Sequence, residues 1–218
     1  MWQGGRMIGG ILSAGHSFRI SGIAAFARFF IILQPTFYLL MKKILVISTS
    51  LRSKSNSEAL ADEFMRGAAE AGHAVEKISL RGMQIGYCRG CLACQKRGSC
   101  VISDDMADLV RKMHDAQVIA FATPIYYYEI SGQMKTLLDR ANPLYGSDYC
   151  FRDIYLFTAA AENEPCVPER AIEGLGGWIA CFPEAHLAGT VFAGGVTEMG
   201  DVAGHHALAE AYEMGKNM

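Results

Sequence analysis

Short apolar runs alternate with longer segments of helical periodicity from Lys43 to the end of the chain. The first run, KILVIS, is rich in β-branched residues and is continuously apolar, which is typical of a strand buried on both faces. Alternation of this kind produces a parallel sheet with helices packed on both faces. The runs predict five strands, over 43–48, 74–80, 117–122, 153–159 and 186–196. We therefore predict an α/β fold with a doubly wound, five-stranded parallel sheet.

Amphipathic segments lie between these runs and after the last one. Ser57 is predicted to cap the first helix, because its hydroxyl can accept a bond from an early amide, and Gly72 is predicted to end it. Asp104 is predicted to open the next helix, with Asp104 and Asp105 as caps and not as an acid/base pair. The later helices are predicted over 133–140, 168–181 and 205–216. His205 and His206, adjacent at the start of the last helix, are predicted to face solvent.

Composition places limits on the class of protein. A chain of 218 residues is long enough for one sizeable core, and its 51% hydrophobic and 19% charged residues are ordinary for an enzyme domain. The formal net charge is −2 and the basic residues are scattered singly. Because nucleic-acid binding needs a basic patch or stripe, we expect no nucleic-acid partner.

The first 40 residues differ from the rest, since no Asp or Glu occurs before Glu58. Arg19 and Arg28 interrupt this segment, and its longest uncharged apolar run, FFIILQPTFYLLM, holds only 13 residues. A membrane span needs about 20 such residues, so no span is expected, and the segment also lacks a secretory cleavage site. We interpret residues 1–40 as an N-terminal extension and 41–218 as the folded domain. A transit peptide is the alternative.

In a doubly wound fold the ligand lies beyond the carboxyl ends of the strands, so function is expected in the loops that follow them. The loop after the first strand reads STSLRSKSNS and lacks the G-x-G-x-x-G of a dinucleotide site. Hydroxyls, free amides and the positive end of a helix meet there, which suits a phosphate group. A polar capping loop is the alternative. The candidate residues are Ser50, Arg52, Ser55, Asn56 and Ser57.

After the third strand, TPIYYYEISGQMK supplies a turn fixed by Pro124 and three consecutive tyrosines. A flat aromatic ligand needs an apolar wall of this kind. Successive side chains of an extended segment point to opposite sides. Only one or two of Tyr126, Tyr127 and Tyr128 are therefore expected to line the crevice.

Four of the seven cysteines lie within CRGCLACQKRGSC. Structural zinc usually takes two separated pairs of ligands, whereas three cysteines spaced two residues apart, with a fourth soon after, can wrap an iron–sulfur cluster. The predicted metal ligands are Cys88, Cys91, Cys94 and Cys100, and inert thiols are the alternative. Cys150, Cys166 and Cys181 lack such spacing and are interpreted as structural. An odd number of cysteines in a chain of this length favours a reducing, cytoplasmic compartment over disulfides.

The opening strand, the S-x-R-x-x-S-N-S loop, the P-I-Y-Y loop with S-G-Q-M-K, and the terminal AYEMGK occur in the order found in flavodoxin-like flavin reductases. The sequence from about Lys42 onward resembles the NAD(P)H-dependent FMN reductase superfamily. Within it, C-x2-C-x2-C-x5-C followed by V-I-S-D-D-M resembles the iron–sulfur flavoprotein branch. The resemblance implies a flavodoxin-like sheet of strand order 2-1-3-4-5 and a [4Fe–4S] cluster on the four cysteines.

The same resemblance implies roles for the loop residues. The phosphate of FMN is expected on Ser50, Arg52, Ser55, Asn56 and Ser57. Pro124, Ile125, Tyr126 and Tyr127 are expected to border the isoalloxazine ring. The backbone of the loop from Thr158 to Ala161 is expected to complete the site.

The implied activity is electron transfer from NAD(P)H, through FMN, to a small-molecule or protein acceptor, with no catalytic acid or base required. Three alternatives stay open. One is a cluster-free reductase of flavin, quinone, azo or nitro compounds. Another is a flavodoxin-type electron carrier, which the net charge of −2 disfavours. The last is a zinc-bearing interaction module. The resemblance also implies a homodimer or homotetramer.

Overall fold

A computed structural model of the chain describes residues 41–218. The interpretation of residues 1–40 as an extension falls outside this part of the chain. The strands are β1 (Lys43–Ser48), β2 (Ala74–Ser79), β3 (Val118–Tyr126), β4 (Glu129–Ile130), β5 (Asp153–Ala159) and β6 (His186–Ala193). The helices are α1 (Asn56–Glu70), α2 (Ala93–Arg97), α3 (Met106–Asp115), α4 (Gly132–Arg140), α5 (Glu169–Ile179) and α6 (His206–Lys216), with a 3-10 turn at Asn142–Leu144.

The sheet has the order β2-β1-β3-β5-β6, and every neighbouring pair on this path is parallel. Counted over the five parallel strands alone, this is the order 2-1-3-4-5. The predicted doubly wound, flavodoxin-like fold is therefore confirmed. The strand order reverses between β1 and β3, and the crevice of such a fold lies at that switch point.

Helices cover both faces of the sheet because β1 and its neighbours are apolar on both sides. On one face Ile44 and Val46 pack with Phe64 of α1 and Ala211 of α6. On the other face Leu45 and Ile47 pack with the apolar sides of α3, α4 and α5. Continuous apolar runs thus gave the right fold class, since a strand buried on both sides has no polar face.

Helices α1 and α6 cross in close contact through two glycines. A Cβ on Gly67 would lie 2.1 Å from the Tyr212 carbonyl oxygen, and one on Gly215 would lie 2.1 Å from the Phe64 carbonyl oxygen. Real side chains do not fit at that distance, so any larger residue would force the helices apart. These contacts fix the position of α1, whose N-terminus points to the crevice.

The segment after the third strand differs from the prediction. Residues 123–126 continue β3 and do not form a loop, and Ile125 and Tyr126 pair antiparallel with Ile130 and Glu129. Tyr127 and Tyr128 form the two-residue turn of this hairpin, with φ of 52° and 67°. Positive φ at both positions is characteristic of a type I′ turn. Asn and Gly usually occupy such a turn, which is why three tyrosines gave no hairpin signal.

Two helix starts also differ from the prediction. The hydroxyl of Ser55, and not that of Ser57, caps α1 by accepting from the Glu58 amide at 3.2 Å. Helix α3 begins at Met106, with Asp104 Oδ1 accepting from the Met106 amide. The short helix α2, inside the cysteine-rich segment, was not predicted. Between residues 41 and 218, none of the helices is both long and apolar enough to cross a membrane.

Candidate functional site

A cavity of about 190 Å³ lies at the carboxyl ends of the central strands. Its walls come from the loop after β1, the end of β3, the loop after β5 and the loop after β6. The lining residues are Ser50, Arg52, Ser55, Asn56, Ser57, Pro124, Ile125, Tyr126, Ala159, Ala160, Ala161, Glu162, Val196, Thr197, Glu198 and Met199. The structure thus brings together eight of the ten residues predicted to hold a cofactor.

The polar wall is formed by buried hydroxyls at the start of α1. Ser50, Ser55 and Ser57 are only 2%, 6% and 1% exposed. The first amides of any helix lack partners within the helix and carry its positive partial charge. Because α1 has 15 residues and starts at this wall, hydroxyls and amides together form a site suited to a phosphate group. This donor chemistry fits the phosphate end of FMN.

Asn56 connects this wall to the loop after β6. Its Nδ2 donates to the Glu198 carbonyl at 2.9 Å, and its Oδ1 accepts from the amides of Gly200 and Val202 at 3.2 and 3.4 Å. The side-chain amide therefore makes three hydrogen bonds to the loop after β6. Asn56 lines the cavity, but its side chain holds the opposite wall in place.

Arg52 crosses the mouth of the cavity. Its Nη1 donates to the Thr197 carbonyl at 2.8 Å, and its own carbonyl accepts from Arg81 Nη1 at 2.9 Å. Arg81 in turn lies beside the buried Glu58 carboxylate, 3.9 Å away. Two arginines therefore lie at the loop after β1, and Arg52 bridges it to the loop after β6.

The apolar wall consists of Pro124, Ile125 and Tyr126 together with the small residues Ala159, Ala160 and Ala161, and Pro124 is the strand partner of Ala159. An apolar surface of this kind, with small residues beside a proline-fixed edge, leaves room for a flat ring to pack against it. Two predicted residues do not line the cavity. Tyr127 is 98% exposed at the tip of the hairpin, and Thr158 is buried in the sheet, where its hydroxyl donates to the Val191 carbonyl.

Sequence reasoning missed the loop after β6, which supplies Val196, Thr197, Glu198 and Met199. This loop packs against the loop after β5 through Gly194. A Cβ at Gly194 would lie 2.5 Å from Asn163 Oδ1 and 2.8 Å from the Glu162 carbonyl oxygen. The glycine pair in HLAGTVFAGGV was the available signal, since a glycine after a strand marks a close approach of backbones.

The cysteine-rich segment carries its thiols in different environments. Cys88 and Cys91 are exposed, Cys100 is half-buried and Cys94 is buried, and all are free thiols. Cys94 Sγ accepts from Asn142 Nδ2 at 2.9 Å, while Cys88 and Cys100 accept from the amides of Gly90 and Ile102 at 3.4 and 3.5 Å. Cys150, Cys166 and Cys181, interpreted as structural, are exposed.

Across residues 41–218, no three His, Cys, Asp or Glu side chains are grouped closely enough to hold a single metal ion. In a cubane each cysteine binds a different iron, so its ligands are spread more widely than those of one ion. Cysteine thiols are the usual ligands of such a cluster, and Cys88, Cys94 and Cys100 also accept N–H donors, as ligand atoms commonly do. The chemistry of the four cysteines therefore fits an iron–sulfur group.

The two ends of this segment meet at a buried ion pair. Arg140 Nη1 and Nη2 donate to Asp104 Oδ2 and Oδ1 at 2.7 and 2.8 Å, and Nη1 also donates to the Gly86 carbonyl at 2.6 Å. The hydrogen bonds from Arg140 hold the pKa of Asp104 below its usual value. The Asp104 carboxylate raises the pKa of Arg140, and the nearby Cys100 adds to this effect.

A doubly wound sheet with an anion-binding loop and an apolar wall at its switch point defines a flavodoxin-like mononucleotide-binding protein. Residues 42–161 match the model of the NADPH-dependent FMN reductase family. This match covers more than half of the chain, and the chain belongs to that family.

Among its relatives is an iron–sulfur flavoprotein of Methanocaldococcus jannaschii, 37% identical over 47% of this chain and 53% of its own. An iron–sulfur flavoprotein of Archaeoglobus fulgidus is 36% identical over 46% of each chain. The chain thus spans about half the length of these curated relatives. An iron–sulfur flavoprotein of Methanosarcina thermophila is 25% identical over 79% of this chain and 87% of its own.

Solved structures share the fold. An NAD(P)H:quinone oxidoreductase from Methanothermobacter marburgensis has a TM-score of 0.65 at 18% identity, over 81% of this chain and 96% of its own. An azoreductase from Bacillus anthracis has a TM-score of 0.62 at 17% identity, over 82% and 100%.

Proposed function

We propose that this protein is an FMN-dependent NAD(P)H oxidoreductase that passes electrons from a nicotinamide to a small-molecule or protein acceptor. The observation that carries the proposal is a cavity in which a helix start suited to a phosphate and an apolar wall meet. FMN has the same two ends, a phosphate and a flat ring. Family membership and relatives named as FMN-containing or quinone oxidoreductases support the same activity.

Each wall of the cavity has a separate task in this proposal. The hydroxyls of Ser50, Ser55 and Ser57 and the first amides of α1 bind the phosphate, and the Arg52 guanidinium adds positive charge at the mouth. Pro124, Ile125 and Tyr126 pack against one edge of the ring. FMN, when bound, supplies the two-electron exchange between the nicotinamide and the acceptor.

We further propose that Cys88, Cys91, Cys94 and Cys100 hold a [4Fe–4S] cluster that carries electrons onward from the flavin site. The support is the free thiols, their N–H donors and the relatives named as iron–sulfur flavoproteins. The competing proposal is a cluster-free reductase, in which the same cavity works and the cysteines are inert.

We also propose a homo-oligomer in a reducing, cytoplasmic compartment. The hairpin beside the cavity exposes Tyr126, Tyr127 and Tyr128 by 49%, 98% and 45%. Neighbouring exposed aromatic side chains are a frequent component of protein interfaces. Seven free cysteines support the reducing compartment.

Anaerobic purification tests these proposals together. The full chain is expected to show flavin absorption, to release FMN on denaturation and to oxidise NAD(P)H in the presence of a quinone. Folded protein that is colourless and does not bind added FMN would overturn the reductase. Iron and sulfide assays on the wild type and on the Cys91→Ser, Cys94→Ser double variant test the cluster. Equal iron and sulfide in both proteins would exclude these ligands.

A further inference from the structure

A buried carboxylate lies beside the polar wall of the cavity. Glu58 follows Ser57 in the first turn of α1 and is 7% exposed. Its amide donates to Ser55 Oγ at 3.2 Å, so its backbone belongs to the helix start that suits a phosphate. Because two negative groups repel each other at short range, an uncompensated charge on Glu58 would weaken the binding of a phosphate there.

Two cations from β2 and the loop after it compensate this carboxylate. Lys77 Nζ lies 3.3 Å from Glu58 Oε1, and Arg81 Nη2 lies 3.9 Å from Glu58 Oε2. Lys77 also pairs with Asp62, whose Oδ1 is 2.6 Å from Nζ. Lys77 thus divides its charge between two carboxylates, whereas Glu58 is the one carboxylate paired with Arg81 among residues 41–218.

The guanidinium of Arg81 has a second contact, with the backbone of the loop after β1. Its Nη1 donates to the Arg52 carbonyl at 2.9 Å, while Nη2 faces Glu58. One planar fork therefore joins the loop to the carboxylate and holds a positive charge near the polar wall. The side chain of Arg81 is 41% exposed, so the field of this charge is open to screening by salt.

We propose that Arg81 and Glu58 are specificity-determining residues that set the preference of the site for flavin with a phosphate over flavin without one. The inference rests on the FMN site proposed above. Glu58 lowers the positive potential at the start of α1, and Arg81 restores it. Both act on the phosphate through charge, since the cavity is lined by Ser57 and Arg52 and not by these two side chains.

A pair that only stabilised the fold would give a different result. Loss of a contact that shapes the cavity weakens FMN and riboflavin alike, because both ligands contain the ring. Loss of a positive charge near the phosphate weakens FMN alone. That second effect also decreases as the ionic strength rises, because salt screens a partly exposed charge.

The test is a titration of FMN-free, full-length protein with FMN and with riboflavin, at low and at high salt, followed by quenching of flavin fluorescence. Arg81→Gln, Arg81→Lys and Glu58→Gln are compared with the wild type. The measurement is the dissociation constant of riboflavin divided by that of FMN. This ratio reports the contribution of the phosphate.

Two exposed residues elsewhere in the fold provide matched controls. Arg111→Gln removes a cation whose side chain is 65% exposed in its pair with Asp108. Glu76→Gln removes a carboxylate whose side chain is 53% exposed in its pair with Lys112. Neither residue lines the cavity, so both controls are expected to keep the wild-type ratio.

Arg81→Gln is expected to lower the ratio about fivefold at low salt, and by less at high salt. Glu58→Gln is expected to raise the ratio by a similar factor. It leaves Lys77 paired with Asp62 and Arg81 bound to the Arg52 carbonyl. Arg81→Lys keeps the charge and is expected to keep the wild-type ratio.

A folded Arg81→Gln protein with the wild-type ratio, or with equal losses for both flavins, would overturn the inference and leave the reductase intact. A Glu58→Gln protein whose ratio is unchanged or falls would do the same. Should Arg81→Gln fail to fold, the ratio of Glu58→Gln decides. Wild-type protein that binds neither flavin would overturn the reductase, and the inference with it.

Discussion

Asn56 donates a hydrogen bond from its side-chain amide to the carbonyl of Glu198, 2.9 Å away and 142 residues later in the chain. This bond joins the start of α1, which forms the polar wall of the cavity, to the loop after β6, which forms the opposite wall. Asn56 therefore helps to set the shape of the cavity, together with the bond from Arg52 to the Thr197 carbonyl.

Asn56→Ala is expected to weaken FMN binding by roughly tenfold. The substitution removes three hydrogen bonds to the loop after β6, each worth about 0.5–1.5 kcal/mol. Water replaces part of these hydrogen bonds, so the expected net loss of binding free energy is about 1.4 kcal/mol, which corresponds to a tenfold loss of affinity. Quenching of flavin fluorescence during titration of FMN-free protein gives the dissociation constant.

Asn217→Ala is the control, because the Asn217 amide bonds only within the end of α6, to the Glu213 carbonyl and carboxylate. Its dissociation constant should equal that of the wild type. If folded Asn56→Ala binds FMN as tightly as wild type does, the two loops are held by other contacts.

Ser57→Asp is expected to weaken binding of FMN but not of riboflavin. Ser57 is 1% exposed and lines the polar wall, and a carboxylate in the first turn is compatible with the helix dipole. Repulsion of the phosphate at the effective dielectric of a protein surface is worth about 1–4 kcal/mol, or roughly tenfold or more.

Riboflavin lacks the phosphate, so its affinity reports the ring site alone. The ratio of the two dissociation constants is the measurement. Equal losses for both ligands would mean that the start of α1 does not bind the phosphate.

Replacement of the hairpin tip by Tyr127→Asn together with Tyr128→Gly is expected to stabilise the fold of the single chain, measured at a protein concentration at which the proposed assembly is dissociated. Both tyrosines adopt positive φ, which costs roughly 1–2 kcal/mol per non-glycine residue. Tyr127 is 98% exposed and loses little packing. We expect a gain of about 1–2 kcal/mol in the free energy of unfolding by urea titration, with FMN affinity retained because Tyr126 is unchanged.

Tyr145→Asn is the matched control, since Tyr145 is 52% exposed but has an ordinary φ of −64°. Tyr145→Asn should not increase the free energy of unfolding. A hairpin variant less stable than the wild type would show that the tyrosines make compensating contacts.

The sequence predicted the parts of the molecule whose signal is local. Continuous apolar runs identified the five parallel strands, and serines before an amphipathic helix identified the polar loop that lines the cavity. Several hydroxyls within ten residues did not reveal which one caps the helix. Ser55 does so because its backbone is extended just before the helix begins, whereas Ser57 lies inside the helix.

The missed features depend on contacts between distant residues. The loop after β6 reaches the cavity through Asn56, and Arg140 closes the cysteine segment through Asp104. An arginine at a helix end looks like an ordinary exposed cation in sequence. Nothing in its neighbours indicates that it is 1% exposed.

The ion pair of Asp104 and Arg140 gives a prediction for acid stability. The pKa of Asp104 in the folded protein is lowered, chiefly by the hydrogen bonds from Arg140. A carboxylate of this kind stabilises the fold fully above its unfolded pKa, near its usual value of 3.8. The contribution is lost as the pH falls through the lower, folded value.

Asp104→Asn is expected to be less stable than wild type by about 3 kcal/mol at neutral pH, because it leaves the Arg140 charge buried without its partner. The difference in free energy of unfolding between wild type and Asp104→Asn should decrease below pH 3.8, the usual pKa of Asp, because the wild type then loses its own ion pair. Urea titrations from about pH 7 to about pH 3, on proteins of matched FMN and iron content, measure the difference.

Asp108→Asn is the control, because the Asp108 side chain is 57% exposed in its pair with Arg111. Exposed pairs contribute about 0–1 kcal/mol. The free energy of unfolding of this variant should therefore stay close to that of the wild type at every pH. A gap between Asp104→Asn and wild type that stays constant down to the lowest pH would show that the charge of Asp104 does not stabilise the fold. The two ends of the cysteine-rich segment would then be held mainly by the hydrogen bonds that the Gly86 and Gln84 amides donate to the side chains at positions 104 and 105.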